Sequence, residues 1–131
     1  MQYISISKFA LLAALSGVIL GATSCVGGKE ARAYAVYSGG DPQRGAQVIN
    51  MKKCGSCHVI PGINGAAGLV GPPLASFARR TYIAGEVANT PDNLVRWVMN
   101  PQAIEPHTAM PNLGLTQRQA HDVAAYLYTR Q

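Results

Sequence analysis

Two cysteines three positions apart with a histidine directly behind the second, Cys54-Gly55-Ser56-Cys57-His58, constrain this chain more than any other feature. In a helical turn, residues at i, i+3 and i+4 share one face, so both sulfurs and the imidazole can grip one planar ligand. The pattern C-x-x-C-H is the attachment signal of c-type haem, whose porphyrin takes two thioethers from the thiols while the imidazole binds the iron. Two other chemistries use similar atoms. A thioredoxin-like dithiol places C-x-x-C between a strand and a helix, and a zinc knuckle needs four ligands. The chain has three cysteines in all, and His107 and His121 lie far downstream without paired spacing, so zinc is poorly supplied.

Haem is joined to such motifs outside the cytoplasm, which makes the N-terminus informative. Residues 1–24 read as an export signal: Lys8 is the sole charge, followed by an apolar run from Phe9 to Leu20. That run falls short of the roughly 20 residues that span a bilayer. Ala22, Thr23 and Ser24 then precede Cys25, an arrangement resembling a bacterial lipobox whose cysteine is acylated and heads the mature chain. Ala22 departs from the usual branched residue there, and cleavage after small residues with plain secretion is the alternative. Cys25 is the thiol that the haem motif leaves over, and an odd cysteine in an exported protein calls for a use, which favours the lipid anchor. The expected organisation is a signal peptide, 1–24, a Gly- and Ala-rich tether, 25–40, and one domain, 41–131, in the periplasm and tethered to the membrane through Cys25. A domain this small is marginally stable on its own core, a deficit that buried haem relieves. The formal net charge of +5 is spread out, with basic pairs only at Lys52-Lys53 and Arg79-Arg80. No nucleic-acid surface is expected from it.

Three helices are predicted. Asp41 caps the first, with Pro42 at its first position and Ala46, Val48, Ile49 and Met51 as apolar contacts. A Gly- and Pro-rich loop from Val59 to Leu74 follows. Thr90 and Pro91 open the second helix, in which Leu94, Trp97 and Val98 fall on one face, and it ends at Asn100 before Pro101. Thr116 and Gln119 form a capping box for the third, whose apolar face is Ala120, Val123, Ala124 and Leu127, with His121 turned to solvent. No strand is expected, which weakens the thioredoxin alternative.

A six-coordinate iron needs a second axial ligand. Met1 leaves with the signal, Met51 is too close to His58 to reach the opposite face, and Met99 lies on a helix where a long apolar side chain is usually core. Met110 remains, in a Pro- and Gly-rich loop far enough along the chain to return from the other side.

From Asp41 to the end the chain resembles a class I, mono-haem cytochrome c of bacterial type. The matching residues are Gly45, the Cys54 to His58 motif, Gly71-Pro72 with Leu74, Asn100-Pro101, Pro106, Thr108, Met110 and Tyr126-Leu127. The resemblance implies an all-α fold, three main helices with Gly/Pro-rich loops wrapped around one covalently bound haem c and its iron. It implies that Cys54 and Cys57 attach the haem, that His58 and Met110 ligate the metal, and that the Pro72 carbonyl holds the second nitrogen of His58. It further implies that Arg80, or its neighbour Arg79, meets a haem propionate, that Trp97 stands near the methionine sulfur, and that Gly45 lets the first helix cross the last near Tyr126. His107 departs from the family's Gly before Thr108. Gln102, Ala103 and Ala109 replace lysines that relatives gather around the haem edge, so electrostatic steering is expected to be weak.

With both axial positions filled, one-electron transfer follows and catalysis at the metal does not. The chain has no Ser-His, paired-carboxylate or phosphate-loop constellation, so no enzyme is expected. The expected role is an electron carrier in an extracytoplasmic respiratory chain, to a terminal oxidase or from a dehydrogenase. The alternatives are a haem subunit of a larger respiratory complex, or a peroxidase or gas-binding protein should Met110 stand off the iron.

Overall fold

A computed structural model describes residues 39–129. The leader, Cys25 and most of the tether lie outside the described residues. The helices α1 (Pro42–Met51), α2 (Pro91–Met99) and α3 (Gln117–Tyr128) stand where the periodicity places them, joined by loops with short 3₁₀ turns at Cys54–Ser56, Phe77–Arg79 and Pro101–Ala103.

Caps fix the helix starts. The Asp41 carboxylate accepts from the N–H groups of Gln43 and Arg44, each at 2.8 Å. Pro42 follows at a position where its missing N–H has no cost. Thr90 accepts from Asn93 N–H at 3.3 Å in front of Pro91. Thr116 and Gln119 exchange reciprocal bonds, so two otherwise orphaned donors of α3 are satisfied.

The core centres on α3, where Ala120, Val123, Ala124, Tyr126, Leu127 and Tyr128 are all 4% exposed or less. Val48 and Ile49 pack on it from α1, and Leu94, Trp97 and Val98 from α2. Met51 corrects the expected α1 face, being 63% exposed. It sits about 200° around the helix from Ile49, on the solvent side. His121 is half-buried instead of solvated, because the chain entering α1 passes against its backbone; a Cβ on Gly40 would lie 2.0 Å from the His121 carbonyl oxygen.

A short antiparallel ladder corrects the expectation of no strand. β1 (Tyr82–Ile83) pairs with β2 (Val87–Ala88), Tyr82 opposite Ala88 and Ile83 opposite Val87. Ala84 and Gly85 turn the chain with φ of 54° and 82°, and Glu86 N–H donates to the Ile83 carbonyl at 3.0 Å. Two left-handed residues make a mirror-image hairpin turn, usually signalled by Asn-Gly. Alanine in the first place hides the signal. Asn89 then fastens this region: its amide donates to the carbonyls of Phe77 and Arg80, and its oxygen accepts from the Tyr128 hydroxyl at 2.7 Å. No helix among the described residues is long and apolar enough to cross a membrane.

Asp122 is the buried charge of the core, 3% exposed on α3. One carboxylate oxygen accepts from Asp41 N–H at 2.8 Å and from Arg44 Nη2 at 2.9 Å, the other from Arg44 Nε at 3.0 Å. Asp41, already the cap of α1, is thereby clasped to α3. Burial alone would push the Asp122 carboxyl up, but the hydrogen bonds from Arg44 and Asp41 and the nearby arginine charges outweigh it and hold the group below its ordinary value. A depressed folded value means the stabilisation is present above the unfolded carboxyl pKa of about 3.9 and is lost as pH falls through the lower folded one. Asp122→Asn should cost about 2 kcal/mol at neutral pH. Urea midpoints of wild type and variant should converge as pH drops below about 4; a gap independent of pH would contradict the clasp.

Candidate functional site

The motif folds as one 3₁₀ turn, Cys54–Ser56, immediately after α1. Its main chain is tied by His58 N–H to the Cys54 carbonyl at 3.0 Å and Gly71 N–H to the Cys57 carbonyl at 2.8 Å. The second bond draws Gly71-Pro72 against His58. His58 Nδ1 lies 2.7 Å from the Pro72 carbonyl oxygen. A carbonyl only accepts, so Nδ1 carries the proton and donates, and Nε2 keeps its lone pair for a metal. Gly71 lies against the imidazole so closely that a Cβ there would be 2.2 Å from His58 Cε1.

A cavity of about 430 Å³ opens beside this turn. Cys54, Cys57, His58, Pro72, Arg80, Trp97 and Met110, all the site residues expected from the sequence, line it. Ile49, Leu94, Val98, Val123 and Leu127 make its apolar wall from all three helices. Arg80 and not Arg79 is the arginine at the cavity; it donates to the Pro73 carbonyl and lies 5.3 Å from the centre of the Phe77 ring. Trp97 is buried and lines the cavity. Met110 reaches the cavity from the loop after the 3₁₀ turn Pro101–Ala103. His107 is exposed and absent from the lining.

The two thiols are not joined to each other. Burial pushes the Cys54 thiol above its ordinary value, whereas a dithiol oxidoreductase needs a low-pKa thiolate. Among the described residues the two-residue ladder is the only sheet, and no three His, Cys, Asp or Glu side chains gather as a metal site. Among the described residues neither alternative to haem finds a scaffold. Paired thiols, an imidazole with a free Nε2, a thioether and an apolar wall around one cavity fit a covalently attached porphyrin.

Sequence reasoning missed Lys52 and Gln102. Lys52, read there only as half of a basic pair, is half-buried and donates to the carbonyls of Leu113 at 2.9 Å and Gly114 at 3.2 Å. Gln102 donates to the Met110 carbonyl at 2.6 Å. The Lys52 bonds cross 61 and 62 positions and the Gln102 bond eight, and the periodic pattern carried no signal for either.

Fold and site together define an all-α protein whose cavity is lined by residues that fit a thioether-linked haem. The chain belongs to the cytochrome c family, whose model matches residues 42–131. Membership implies covalently bound haem c and the role of an electron carrier. The chain is also similar to cytochrome c oxidase subunit 2 of Alkalihalophilus pseudofirmus, 32% identical over 85 residues, which cover 64% of this chain and 24% of that protein. Cytochrome c oxidase subunit 2 of Bacillus subtilis is likewise 32% identical over 85 residues, covering 63% of this chain and 24% of the relative. The match thus spans about a quarter of the length of these relatives. No solved structure gives a significant match.

Proposed function

We propose that this protein is a one-electron carrier whose haem c iron is held by His58 and Met110, working in an extracytoplasmic respiratory chain and delivering electrons to a terminal oxidase. The observation that carries the reading is the presence of His58 and Met110 on one cavity, with His58 Nδ1 engaged by Pro72 and Nε2 left free. Haem c, when bound, supplies an iron that accepts and releases a single electron, and an axial thioether favours its ferrous state relative to a second imidazole. Cys54 and Cys57 would hold the porphyrin, and the Pro72 bond orients the imidazole and raises its donor strength. Arg80 and Trp97 both line the cavity, which supports roles in neutralising a propionate and in packing beside the methionine. The apolar wall excludes water, so the surroundings change little between the two charge states.

An oxidase is favoured over a dehydrogenase as partner because both relatives are oxidase subunits. The same likeness supports a second reading, in which the domain works as a fixed haem subunit of such a complex. Val70 lines the cavity and stands exposed, as does its chain neighbour Leu69, an apolar contact surface suited to docking where steering by charge is weak. The leader before Cys25 supports a periplasmic location with a lipid tether.

The ferric protein should show the weak far-red charge-transfer band of a sulfur-ligated haem, and Met110→Ala should abolish it and open the iron to carbon monoxide in the ferrous state. A wild type that lacks the band and binds the gas would point instead to a peroxidase or gas-binding role. The intact mass of membrane-extracted protein should equal a chain beginning at Cys25 plus haem and acyl chains; co-purification with an oxidase after detergent extraction would favour the subunit reading.

A further inference from the structure

The loop that presents Met110 has almost no main-chain support. Thr108 N–H donates to the Glu105 carbonyl at 3.1 Å, but among the described residues no backbone-to-backbone bond outside the regular elements involves residues 109–115. Thr108 and Asn112 bond within the loop itself, to the N–H groups of Met110 and Gly114. Two side chains reach it from outside. Gln102, on the turn after α2, donates to the carbonyl of Met110. Lys52, at the C-terminal cap of α1 and two residues before Cys54, donates to the carbonyls of Leu113 and Gly114.

We propose that Gln102 and Lys52 are positioning residues that hold the methionine on the iron, the first at the ligand itself and the second by fastening its loop to the segment that carries Cys54. This rests on the His58 and Met110 ligation proposed above. The sulfur competes for the iron with any ligand that enters the cavity. A loop ordered in the bound conformation gives sulfur the advantage, and each fastener removed shifts the population toward the released state. Neither side chain contributes an atom to the metal, so the haem should remain attached and ligated by His58 when they are changed.

The test is imidazole titration of the ferric, haem-loaded full chain at fixed pH, followed by the far-red sulfur-to-iron band, with global unfolding followed separately by far-ultraviolet circular dichroism. Gln102→Leu, which loses one hydrogen bond, and Lys52→Met, which loses two, should each bind imidazole at least about fivefold tighter, the lost fastening expressed in the competing equilibrium. Gln102→Glu, which keeps the shape and loses the donor, should behave like Gln102→Leu. Lys52→Arg, which keeps donors, should stay within about twofold of wild type. In the weakened variants the band should disappear on heating well before the helices melt. Should Gln102→Leu not accumulate, the Lys52→Met and Lys52→Arg pair reads the same quantity. Wild-type imidazole affinity in both Gln102→Glu and Lys52→Met would overturn the proposal. Absence of the band from the wild type would instead overturn the ligation on which it rests.

Discussion

Replacing Gly45 with alanine should lower the stability of the domain by about 3 kcal/mol, a fall in melting temperature of more than about 10 °C for a domain of this size. A helical glycine is ordinarily improved by alanine, by about 1 kcal/mol, so the sign of this prediction comes from packing alone. At Gly45 an added Cβ would stand 2.1 Å from the Asp122 carbonyl oxygen, 2.7 Å from its carbon and 2.9 Å from Tyr126 Cβ. All three are backbone or the root of a side chain, and no rotamer relieves them. The α1 and α3 helices would have to separate, which also pulls Arg44 and Asp41 from the Asp122 carboxylate. Tyr126 bonds the Pro61 carbonyl at 2.7 Å, so the shift would reach the loop that follows the haem motif. Thermal melting of the two proteins decides the matter. A variant within about 2 °C of wild type would mean that the helices part at little cost and that close approach is not what the position requires.

What was legible beforehand divides along the range of the interaction. Helix starts depend on residues within three positions of each other, and Asp41-Pro42, Thr90-Pro91 and Thr116 with Gln119 all cap as their types predict. The apolar face of α3 follows from periodicity, and its members are buried. The C-x-x-C-H turn and Met110 could be picked out because their chemistry is confined to a few residue types. Asp122 could not: on the helix it is one polar residue among several, and its partners lie 78 and 81 positions away. Lys52, 61 positions from Leu113, escaped for the same reason, and Gln102 and Asn89 because no periodic pattern links them to carbonyls 8 to 12 positions away. Gln102 and Lys52 satisfy carbonyls that a loop without regular structure leaves open, and Asn89 ties the carbonyls of Phe77 and Arg80, contacts that exist only once the fold has brought these segments together. The hairpin Tyr82–Ala88 was missed through local chemistry instead, because Ala84 adopts a left-handed conformation that alanine seldom takes.

With His58 on the iron as proposed, Gly71→Ala should weaken its hold about 10- to 100-fold, the usual effect of disturbing a ligand's supporting hydrogen bond. The Cβ would lie 2.2 Å from Cε1, 2.6 Å from Nδ1 and 2.8 Å from Nε2 of His58, so the ring cannot evade it by a small tilt. Either the ring turns away and gives up the Pro72 carbonyl at 2.7 Å, or the Gly71 segment retreats and loses its bond to the Cys57 carbonyl at 2.8 Å. Both routes misdirect the Nε2 lone pair. Thioether attachment through Cys54 and Cys57 does not depend on that direction, so the variant should keep its haem covalently while its absorption spectrum turns partly high-spin at denaturant concentrations that leave the helices intact. Pro72→Ala provides the contrast. Pro72 acts through its main-chain oxygen, which alanine retains, so its spectrum should stay close to wild type. If instead Pro72→Ala shifted the spectrum and Gly71→Ala did not, the proline ring and not the tight seat of the imidazole would be what orients the ligand.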